Sequence, residues 1–299
     1  MDYPQKGYDK MIQLLAPAKV NLCLRVLGKS DNELHKLDSI VVFCEFGDKV
    51  SIQPAQKDDF SITGPFAKFL NTTRMSENLI VKARDAFRRN GVACGPVAIH
   101  LEKQIPIGAG LGGGSADAAA VLLGLNEIIT TPLQKQKLLS IAAKLGSDVP
   151  VCLAKKPQRI KSTGNVIDEI GSIHAGSLLL VNPLIPLSTA TVFKKIKPPY
   201  NTPLPKISSK SAVFLSEFGN DLEPVAKNLV PKIADILLQL RQMPNCRAAQ
   251  MSGSGATCFG IFDDCAKANV ARAKFDQAGY WTKSTKLYSP HIEKIHQIG

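Results

Sequence analysis

Residues 105–126 read IPIGAGLGGGSADAAAVLLGLN, a glycine-rich loop followed directly by an apolar, alanine-rich run. Glycine stands at positions 108, 110, 112, 113 and 114, and the apolar residues beyond Ser115 recur at helical spacing. Glycines let a backbone approach a ligand closely and turn several N–H groups towards one point. A helix capped by Ser115 adds its positive dipole end, so the stretch predicts an anion site suited to a polyphosphate.

Two other phosphate motifs share only part of this pattern. Residues 108–113 satisfy GxGxxG, but a dinucleotide fold needs a second parallel strand after the helix and an acidic residue about 20 positions on. Here the helix runs into a second helix, and Glu127 lies at the first helix's end. A Walker A loop needs Lys-Ser/Thr after its glycines, which this chain lacks. An interdomain hinge remains an alternative, although a hinge does not need glycine at all these positions.

Composition and charge indicate the broad class of the protein. The chain has 299 residues, 44% of them hydrophobic, and a formal net charge of +12. Because only 6% are aromatic and the basic residues are spread out, the charge favours phosphorylated small molecules over single-stranded nucleic acid. No run approaches the roughly 18–20 apolar residues of a membrane span, and the cysteines lack paired metal spacing. We therefore expect a cytoplasmic monomer or weak homodimer with a flexible leader over residues 1–11, bound to neither membrane nor nucleic acid.

Hydrophobic periodicity predicts strands and helices without regular βα alternation. Residues 17–27 alternate strictly, which predicts a half-buried strand with Lys19 and Asn21 on the face opposite the core. Residues 38–53 are predicted as a hairpin that turns at Gly47-Asp48. Further strands are predicted near residue 60 and at residues 97–101, 178–181, 247–251, 256–262 and 280–287. Helices are predicted after Ser76 and Ser115 and over residues 133–145, 189–195, 221–241 and 266–278. The pattern indicates an α+β fold class with two domains.

Three motifs, in order along the chain, resemble those of the GHMP kinases, the family of galacto-, homoserine, mevalonate and phosphomevalonate kinases. The family's loop P-x-x-x-G-L-G-S/G-S/G-S/A is matched by PIGAGLGGGSADAA at residues 106–119. Its early P-A-K-x-N-L strand is matched at residues 17–22, and its late glycine loop by MSGSGATCF at residues 251–259. The match is specific because the motifs span nearly the whole chain.

The resemblance implies a two-domain GHMP kinase fold. A ribosomal-protein-like β/α domain would cover residues 1–165 and bind ATP, and a ferredoxin-like α+β domain would cover residues 166–299. The implied reaction is in-line transfer of the γ-phosphoryl group of ATP to an alcohol with Mg²⁺. Lys19 would be the cation near the transferred group, and Asp148 the base that takes the hydroxyl proton. From local sequence alone, Lys19 is more often a solvated strand residue and Asp148 a helix N-cap.

The resemblance also implies the nucleotide contacts. Asn78 and Lys103 match positions near the adenine and ribose, and Ser115 is placed at the phosphates or the Mg²⁺. The other implied ATP-binding residues belong to the loop: Pro106, Gly108, Ala109, Gly110, Leu111, Gly112, Gly113 and Gly114.

Within the family, the chain is similar to the branch that phosphorylates a cytidine diphosphate alcohol. That branch's D-G-Y-H-x-L reads NELHKL at residues 32–37, and its other motifs are matched by NLI at 78–80, LGSDVP at 145–150, TATVF at 189–193 and NDLE at 220–223. The implied substrate-binding residues are Asn21, His35, Thr189, Phe193, Gly253, Ser254 and Gly255.

The sequence leaves two alternative functions open, and it also leaves open the role of residues 197–210. The first alternative is a GHMP kinase for mevalonate or homoserine, which would have no use for a cytidine pocket. The second is a non-catalytic nucleotide- or RNA-binding protein. Residues 197–210, rich in Pro, Lys and Ser, are interpreted as a solvated insertion in preference to a loop near the substrate.

Overall fold

A computed structural model describes residues 11–70, 75–91 and 94–289, and the backbone of residues 296–298. The fold is α+β, with two β-sheets and helices packed against each of them. The predicted leader lies outside the described residues, apart from Met11. The fold class predicted from the sequence is therefore confirmed.

The first sheet has seven strands and is built around two long ones. These strands are β1 (Met11–Lys29), β2 (His35–Pro54), β3 (Asp59–Thr63), β4 (Val97–Glu102), β5 (Gln158–Ser162), β6 (Val166–Glu169) and β11 (His296–Ile298). Their order is β11-β1-β2-β4-β3, and the β5–β6 pair joins the sheet at β2. The pairs are antiparallel except β3–β4, which is parallel. The predicted domain division falls between β5 and β6 and stays a prediction.

Strand β1 is buried on both faces, so neither face is solvated along its central part. Val20 and Leu22 are 0% exposed, and Lys19 and Asn21 are only 5% and 4% exposed. The glycine loop covers Lys19, whose backbone N–H donates to the carbonyl of Leu111 at 2.8 Å. The reading of Lys19 as a solvated strand residue is therefore wrong.

The predicted hairpin at Gly47-Asp48 is also wrong. Strand β2 runs from His35 to Pro54 and pairs with β1 along nearly its whole length. The register between the two strands shifts where Pro17 pairs with Gly47 and Lys19 pairs with Phe43. A Cβ on residue 47 would collide with the backbone of Ala16. The glycine therefore serves a close strand approach at an irregularity of the sheet, and not a turn.

Four helices share a hydrophobic core with the first sheet: α1 (Leu79–Arg89), α2 (Gly113–Ile128), α3 (Lys135–Leu145) and α4 (Asp148–Ala154). Helix α2 packs directly on β1 and β2, and α1 and α3 pack mainly on other helices. Two predicted caps are wrong. Asn78 caps α1 in place of Ser76, since its side-chain oxygen accepts from the N–H of Ile80 at 3.0 Å. Helix α2 begins at Gly113, and its N-cap Gly112 is left-handed with φ 65°. Glycine adopts this conformation without strain, so the helix starts before Ser115, which lies in its first turn.

The second sheet has four antiparallel strands in the order β10-β7-β9-β8. They are β7 (Ser177–Asn182), β8 (Cys246–Met251), β9 (Cys258–Phe262) and β10 (Trp281–Thr285). The accompanying helices are α5 (Thr189–Lys194), α6 (Ala212–Ser216), α7 (Glu223–Leu229), α8 (Lys232–Gln242) and α9 (Cys265–Gln277). The single helix predicted over residues 221–241 is wrong. Pro231 has no N–H to continue α7, so the chain breaks after Val230 and begins α8.

Residues 197–210 form no helix or strand and connect α5 to α6 across the first sheet. Most of their side chains are exposed, but Leu204 is only 5% exposed. Its N–H donates to Asp38 at 2.9 Å, and its carbonyl accepts from Arg159 at 2.6 Å. Because Arg159 also pairs with Asp38 through two hydrogen bonds, the segment is fixed at its middle against β2 and β5. The segment is therefore mostly solvated, and it is also held near its two ends, where the N–H of Asn201 donates to Val26 at 3.0 Å and the carbonyl of Lys210 accepts from His174 at 2.7 Å.

Candidate active site

A cleft of about 560 Å³ opens beside the glycine loop, with a volume typical of small-ligand sites. Parts of β1 and β2, the start of α4, helix α5 and the late glycine loop complete its walls. The predicted site residues that line the cleft are Lys19, Asn21, Asn78, Lys103, Pro106, Gly108, Ala109, Gly110, Gly112, Gly113, Gly114, Ser115, Asp148, Thr189, Phe193, Gly253 and Ser254. The structure thus brings most of the predicted site into one place.

Alternate glycines shape the first loop. Gly108, Gly110 and Gly112 have φ values of 63°, 74° and 65°, which residues with a side chain rarely adopt. At the loop's exit, a Cβ on Gly112 would lie 3.1 Å from the side chain of Lys19. The loop therefore presents bare backbone at the start of α2, as an anion site requires.

The late glycine loop packs directly on the first loop. The hydroxyl of Ser252 donates to the carbonyl of Gly110 at 2.9 Å, and the N–H of Thr257 donates to Ala109 at 3.1 Å. A Cβ on Gly110 would collide with the carbonyl oxygens of Ser252 and Gly255, the latter at 2.8 Å. The two glycine motifs, far apart in sequence, thus form one structural unit along the cleft.

Alanine at position 110 is expected to destabilise the protein by about 2 kcal/mol or more. The new methyl group would need a left-handed backbone and would force the two glycine loops apart. Urea unfolding measures the change, with Gly114→Ala as the matched control, since a Cβ on Gly114 meets nothing within 4 Å. Equal stability of the two variants would contradict this role of Gly110.

Lys19 and Asp148 form an ion pair in the cleft. The Nζ of Lys19 lies 3.1 Å from an Oδ atom of Asp148, and the two side chains are 6% and 44% exposed. Asp148 is the first residue of α4, and Ser147 occupies the N-cap position, so the reading of Asp148 as the N-cap is wrong. A cation held beside a half-exposed carboxylate, against a phosphate-type loop, is suited to neutralising charge and accepting a proton.

Buried hydrogen bonds fix the floor of the cleft beside Lys19. The amide of Asn21 donates to the hydroxyl of Ser39 at 2.8 Å, and that hydroxyl donates to the carbonyl of Cys23 at 2.6 Å. The backbone N–H of Asn21 donates to the hydroxyl of Ser252 at 3.2 Å. Asn21 therefore joins the early strand to the late loop, with its side-chain oxygen 3.5 Å from the Nζ of Lys19.

The side of the cleft formed by α5 and the late glycine loop carries aromatic and hydroxyl groups. The rings of His35 and Phe193 lie 5.2 Å apart, and Phe193 lines the cleft. The Nε2 of His35 is buried without a hydrogen-bond partner among the described residues. Partial burial, with the charge of Lys29 nearby, lowers the pKa of His35, which favours its neutral imidazole. On the same side, the hydroxyls of Thr189 and Ser254 are hydrogen-bonded at 2.8 Å.

Four of the predicted binding residues contact mainly other protein groups, and not the open space of the cleft. Leu111 is 1% exposed and packs in the core, where it offers only its backbone to the loop. A Cβ on Gly255 would meet Met251 and Leu187, so this glycine permits loop packing. His35 does not line the cleft in this structure, but its ring lies 5.2 Å from that of Phe193, which does. Lys103 is 2% exposed, and two carboxylates already hold its ammonium group.

Sequence reasoning missed three residues that shape the site. Ser39 supports Asn21, and Asp117 projects from α2 to Lys103. Asn220 donates from its amide to the carbonyls of Met251 and Gly253, both at 2.8 Å, and so holds the late loop. The usable signals were a lone carboxylate in an alanine-rich helix for Asp117 and the NDLE motif for Asn220. Nothing local distinguishes Ser39.

The family models for the GHMP kinases match both parts of the chain. The model of the GHMP kinases N terminal domain matches residues 78–156, and the model described as GHMP kinases C terminal matches residues 208–280. The chain belongs to the GHMP kinase family. The first glycine loop lies within the first matched range and the late glycine loop within the second, in agreement with the family that the sequence resembles.

Curated relatives are similar along most of their length. A 4-diphosphocytidyl-2-C-methyl-D-erythritol kinase of Rhizobium etli is 42% identical over 88% of this chain and 90% of its own. An enzyme of the same name from Brucella abortus is 42% identical over 90% of this chain and 93% of its own. Similarity at this level covers most of this chain and most of each relative.

Solved structures of family members share the fold. A crystal structure of 4-(cytidine 5'-diphospho)-2C-methyl-D-erythritol kinase aligns with a TM-score of 0.78 at 28% identity, over 93% of this chain and 99% of that one. Homoserine kinase from Cytophaga hutchinsonii aligns with a TM-score of 0.67 at 17% identity, over 96% and 97% of the two chains. The second likeness concerns the fold alone.

Among the helices of the described part of the chain, none has the length and apolar character needed to cross a membrane. Within the same residues, no three His, Cys, Asp or Glu side chains come together as a metal-binding group.

Proposed function

We infer that this chain is a kinase that transfers the γ-phosphoryl group of ATP to 4-diphosphocytidyl-2-C-methyl-D-erythritol. This is a step of the methylerythritol phosphate route to isoprenoid precursors. The observation that carries the chemistry is the Lys19–Asp148 pair, at 3.1 Å, between the phosphate loop and the side of the cleft formed by α5 and the late glycine loop. The choice of acceptor rests on the curated relatives, which are 42% identical over 88% and 90% of this chain.

We propose that Asp148 and Lys19 act on the two sides of one displacement. The 2-hydroxyl oxygen of the acceptor forms a bond to the γ-phosphorus, and the bond from that phosphorus to the β–γ bridging oxygen breaks, releasing ADP. The hydroxyl proton passes to the carboxylate of Asp148, and the ammonium of Lys19 stabilises negative charge on the transferred group. The half-exposed position of Asp148 leaves room for an acceptor hydroxyl beside it.

We propose that the first glycine loop holds the phosphates of ATP. The bare backbone of Gly110, Gly112 and Gly113 lines the cleft, and α2 directs its N-terminal end there. Asn78 lines the same cleft and would approach the adenosine from the cap of α1. A Cβ on Gly112 or Gly113 would instead crowd the side chains of Lys19 or Lys103, so glycine lets this bare backbone sit close to both lysines.

Mg²⁺ is the proposed metal and would bind mainly through the phosphates. Proteins usually hold Mg²⁺ with one or two side chains plus substrate phosphates, and not with a dedicated cage. This fits the hydroxyl of Ser115, which lines the cleft in the first turn of α2. The metal would supply charge neutralisation at the phosphates, and Ser115 is the residue that would help to hold it there.

We propose that the cytidine end of the acceptor binds near Phe193, with its diphosphate against the late loop. In its neutral form His35, whose Nε2 has no partner among the described residues, is suited to hydrogen-bonding a base edge. Phe193 offers a ring for stacking, and Thr189 and Ser254 offer hydroxyls. Mevalonate and homoserine have no group that would use this part of the site.

An assay of ADP release from the purified chain tests the proposal. The panel is 4-diphosphocytidyl-2-C-methyl-D-erythritol, mevalonate and homoserine, each with ATP and Mg²⁺. We expect turnover with the cytidylated alcohol and at least about 100-fold lower kcat/KM with the other two. Turnover with mevalonate or homoserine alone would move the chain to another GHMP activity, and no turnover at all would favour a nucleotide-binding protein.

A cytoplasmic location and a monomeric or weakly dimeric state remain proposals. The seven cysteines are all free, as expected for a reducing compartment. Gel filtration at several concentrations measures the oligomeric state, and the same runs with added RNA oligonucleotides test the expected absence of a nucleic-acid partner.

A further inference from the structure

A buried cluster of three charges lies beneath the phosphate loop. Asp48 from β2, Lys103 at the end of β4 and Asp117 in α2 are 0%, 2% and 3% exposed. The Nζ of Lys103 lies 2.5 Å from Asp48 and 2.7 Å from Asp117. Removing Lys103 from such a buried group would leave two uncompensated carboxylates, so the cluster depends on the ammonium group that both of them share.

The cluster holds the segment that enters the loop. The second oxygen of Asp48 accepts from the backbone N–H groups of Gln104 and Ile105, at 2.6 and 2.8 Å. The N–H of Lys103 donates to the carbonyl of Thr63 at 2.8 Å. The chain is therefore fixed at residues 103–105, immediately before the loop begins at Pro106.

The same cluster holds the helix that leaves the loop. Asp117 lies in the second turn of α2, so its bond to Lys103 ties the helix to the entry segment. The Nζ of Lys103 also lies 3.0 Å from the position that a Cβ on Gly113 would take. Both ends of residues 106–112 are thus joined through one ammonium group.

We propose that the Asp48–Lys103–Asp117 cluster is a positioning device that holds both ends of the phosphate loop in place for the nucleotide. In this arrangement Lys103 acts through the two carboxylates and does not contact ATP. The proposal rests on the proposed function, because it assumes that the loop binds the phosphates of a nucleotide. Lys103 thereby has an indirect role, in place of the direct contact to ATP that the family resemblance implied.

The charge balance of the cluster identifies Asp117 as the member to change. Two carboxylates face one ammonium group, and one oxygen of Asp117 has no hydrogen-bond partner among the described residues. Burial raises the pKa of Asp117, although Lys103 opposes the shift. Asp117→Leu leaves Lys103 and Asp48 as a balanced pair, so the variant is expected to fold. It removes only the link to α2.

The test compares Asp117→Leu with Asp117→Asn and Lys103→Met in the full chain. Asparagine keeps an oxygen that accepts from Lys103, whereas leucine of similar size does not. We measure the Kd of ADP with Mg²⁺ by calorimetry and amide hydrogen exchange at residues 108–114. Asp117→Leu and Lys103→Met should weaken ADP binding by about tenfold or more and speed exchange in the loop, and Asp117→Asn should stay within about threefold of the unmodified protein.

Several outcomes would overturn the proposal. If Asp117→Leu bound ADP normally or more tightly while Lys103→Met bound it weakly, Lys103 would contact the nucleotide directly. If Asp117→Asn weakened binding as much as Asp117→Leu, the negative charge and not the link to α2 would matter. Failure of the unmodified protein to bind ADP would contradict the proposed function, and the exchange of the loop amides would still test the cluster by itself.

Discussion

Asp148→Asn is expected to lower kcat by about 10²–10⁴-fold while the KM for ATP changes little. Asparagine keeps the size of the side chain and an oxygen for the nearby Lys19, but its amide does not take a proton from the acceptor hydroxyl. Asp148 is not among the residues proposed to hold adenosine, so binding of the donor should be preserved. Steady-state kinetics with the cytidylated alcohol and ATP measure both constants.

A second aspartate provides a matched control for this variant. Asp168 pairs with Lys161 at 2.6 Å and is 50% exposed, close to the 44% of Asp148, but it does not line the cleft. Asp168→Asn should therefore keep full activity. Because Asp148 lies in the first turn of α4, its replacement also costs about 0.3–1 kcal/mol of helix-dipole stabilisation, which thermal unfolding detects. Undiminished kcat in Asp148→Asn would remove this residue as the base.

The phosphate loop was predictable because its chemistry is local. The glycines at 108, 110 and 112 and the helix that follows are adjacent in sequence, and the left-handed φ values of these residues bear out the need for glycine. The boundary of α2 was less predictable. Serine is the commoner cap, but the backbone turn at Gly112 begins the helix before Ser115.

The burial of Lys19 was not predictable from β1 alone. Alternation identifies two faces of a strand but not what covers each of them, and the cover of Lys19 comes from the loop near residue 111. The hairpin error has a related cause. Gly47-Asp48 matches a turn signal, whereas the glycine is required by the close approach of Ala16, far away in sequence.

The charge cluster shows the same limit for the site itself. A resemblance implies a role for Lys103 from its position in a motif, but the two carboxylates that hold it come from β2 and α2. Asp48 also lay within the predicted turn, where an aspartate has an ordinary explanation. Contacts between segments far apart in sequence therefore explain both the wrong hairpin prediction at Gly47-Asp48 and the changed interpretation of Lys103.

Lys19→Met is expected to lower kcat by about 10²–10³-fold, the usual effect of removing one preorganised group that stabilises transition-state charge. Methionine fills much of the buried volume of the lysine stem, and the side chain is only 6% exposed, so the packing against Gly112 should survive. Lys161→Met, at the exposed pair with Asp168, is the matched control and should retain activity. A normal kcat in Lys19→Met would mean that the lysine only supports the loop.

The double variant Lys19→Met/Asp148→Asn tests whether the two residues act on one transition state. Their side chains are 3.1 Å apart, and residues that act as a unit give kinetic losses that do not multiply. We therefore expect kcat of the double variant to be only slightly lower than kcat of the less active single variant. Losses equal to the product of the two single effects would instead show that Lys19 and Asp148 contribute independently. The free energies of the two substitutions would then simply add, as expected for distant sites.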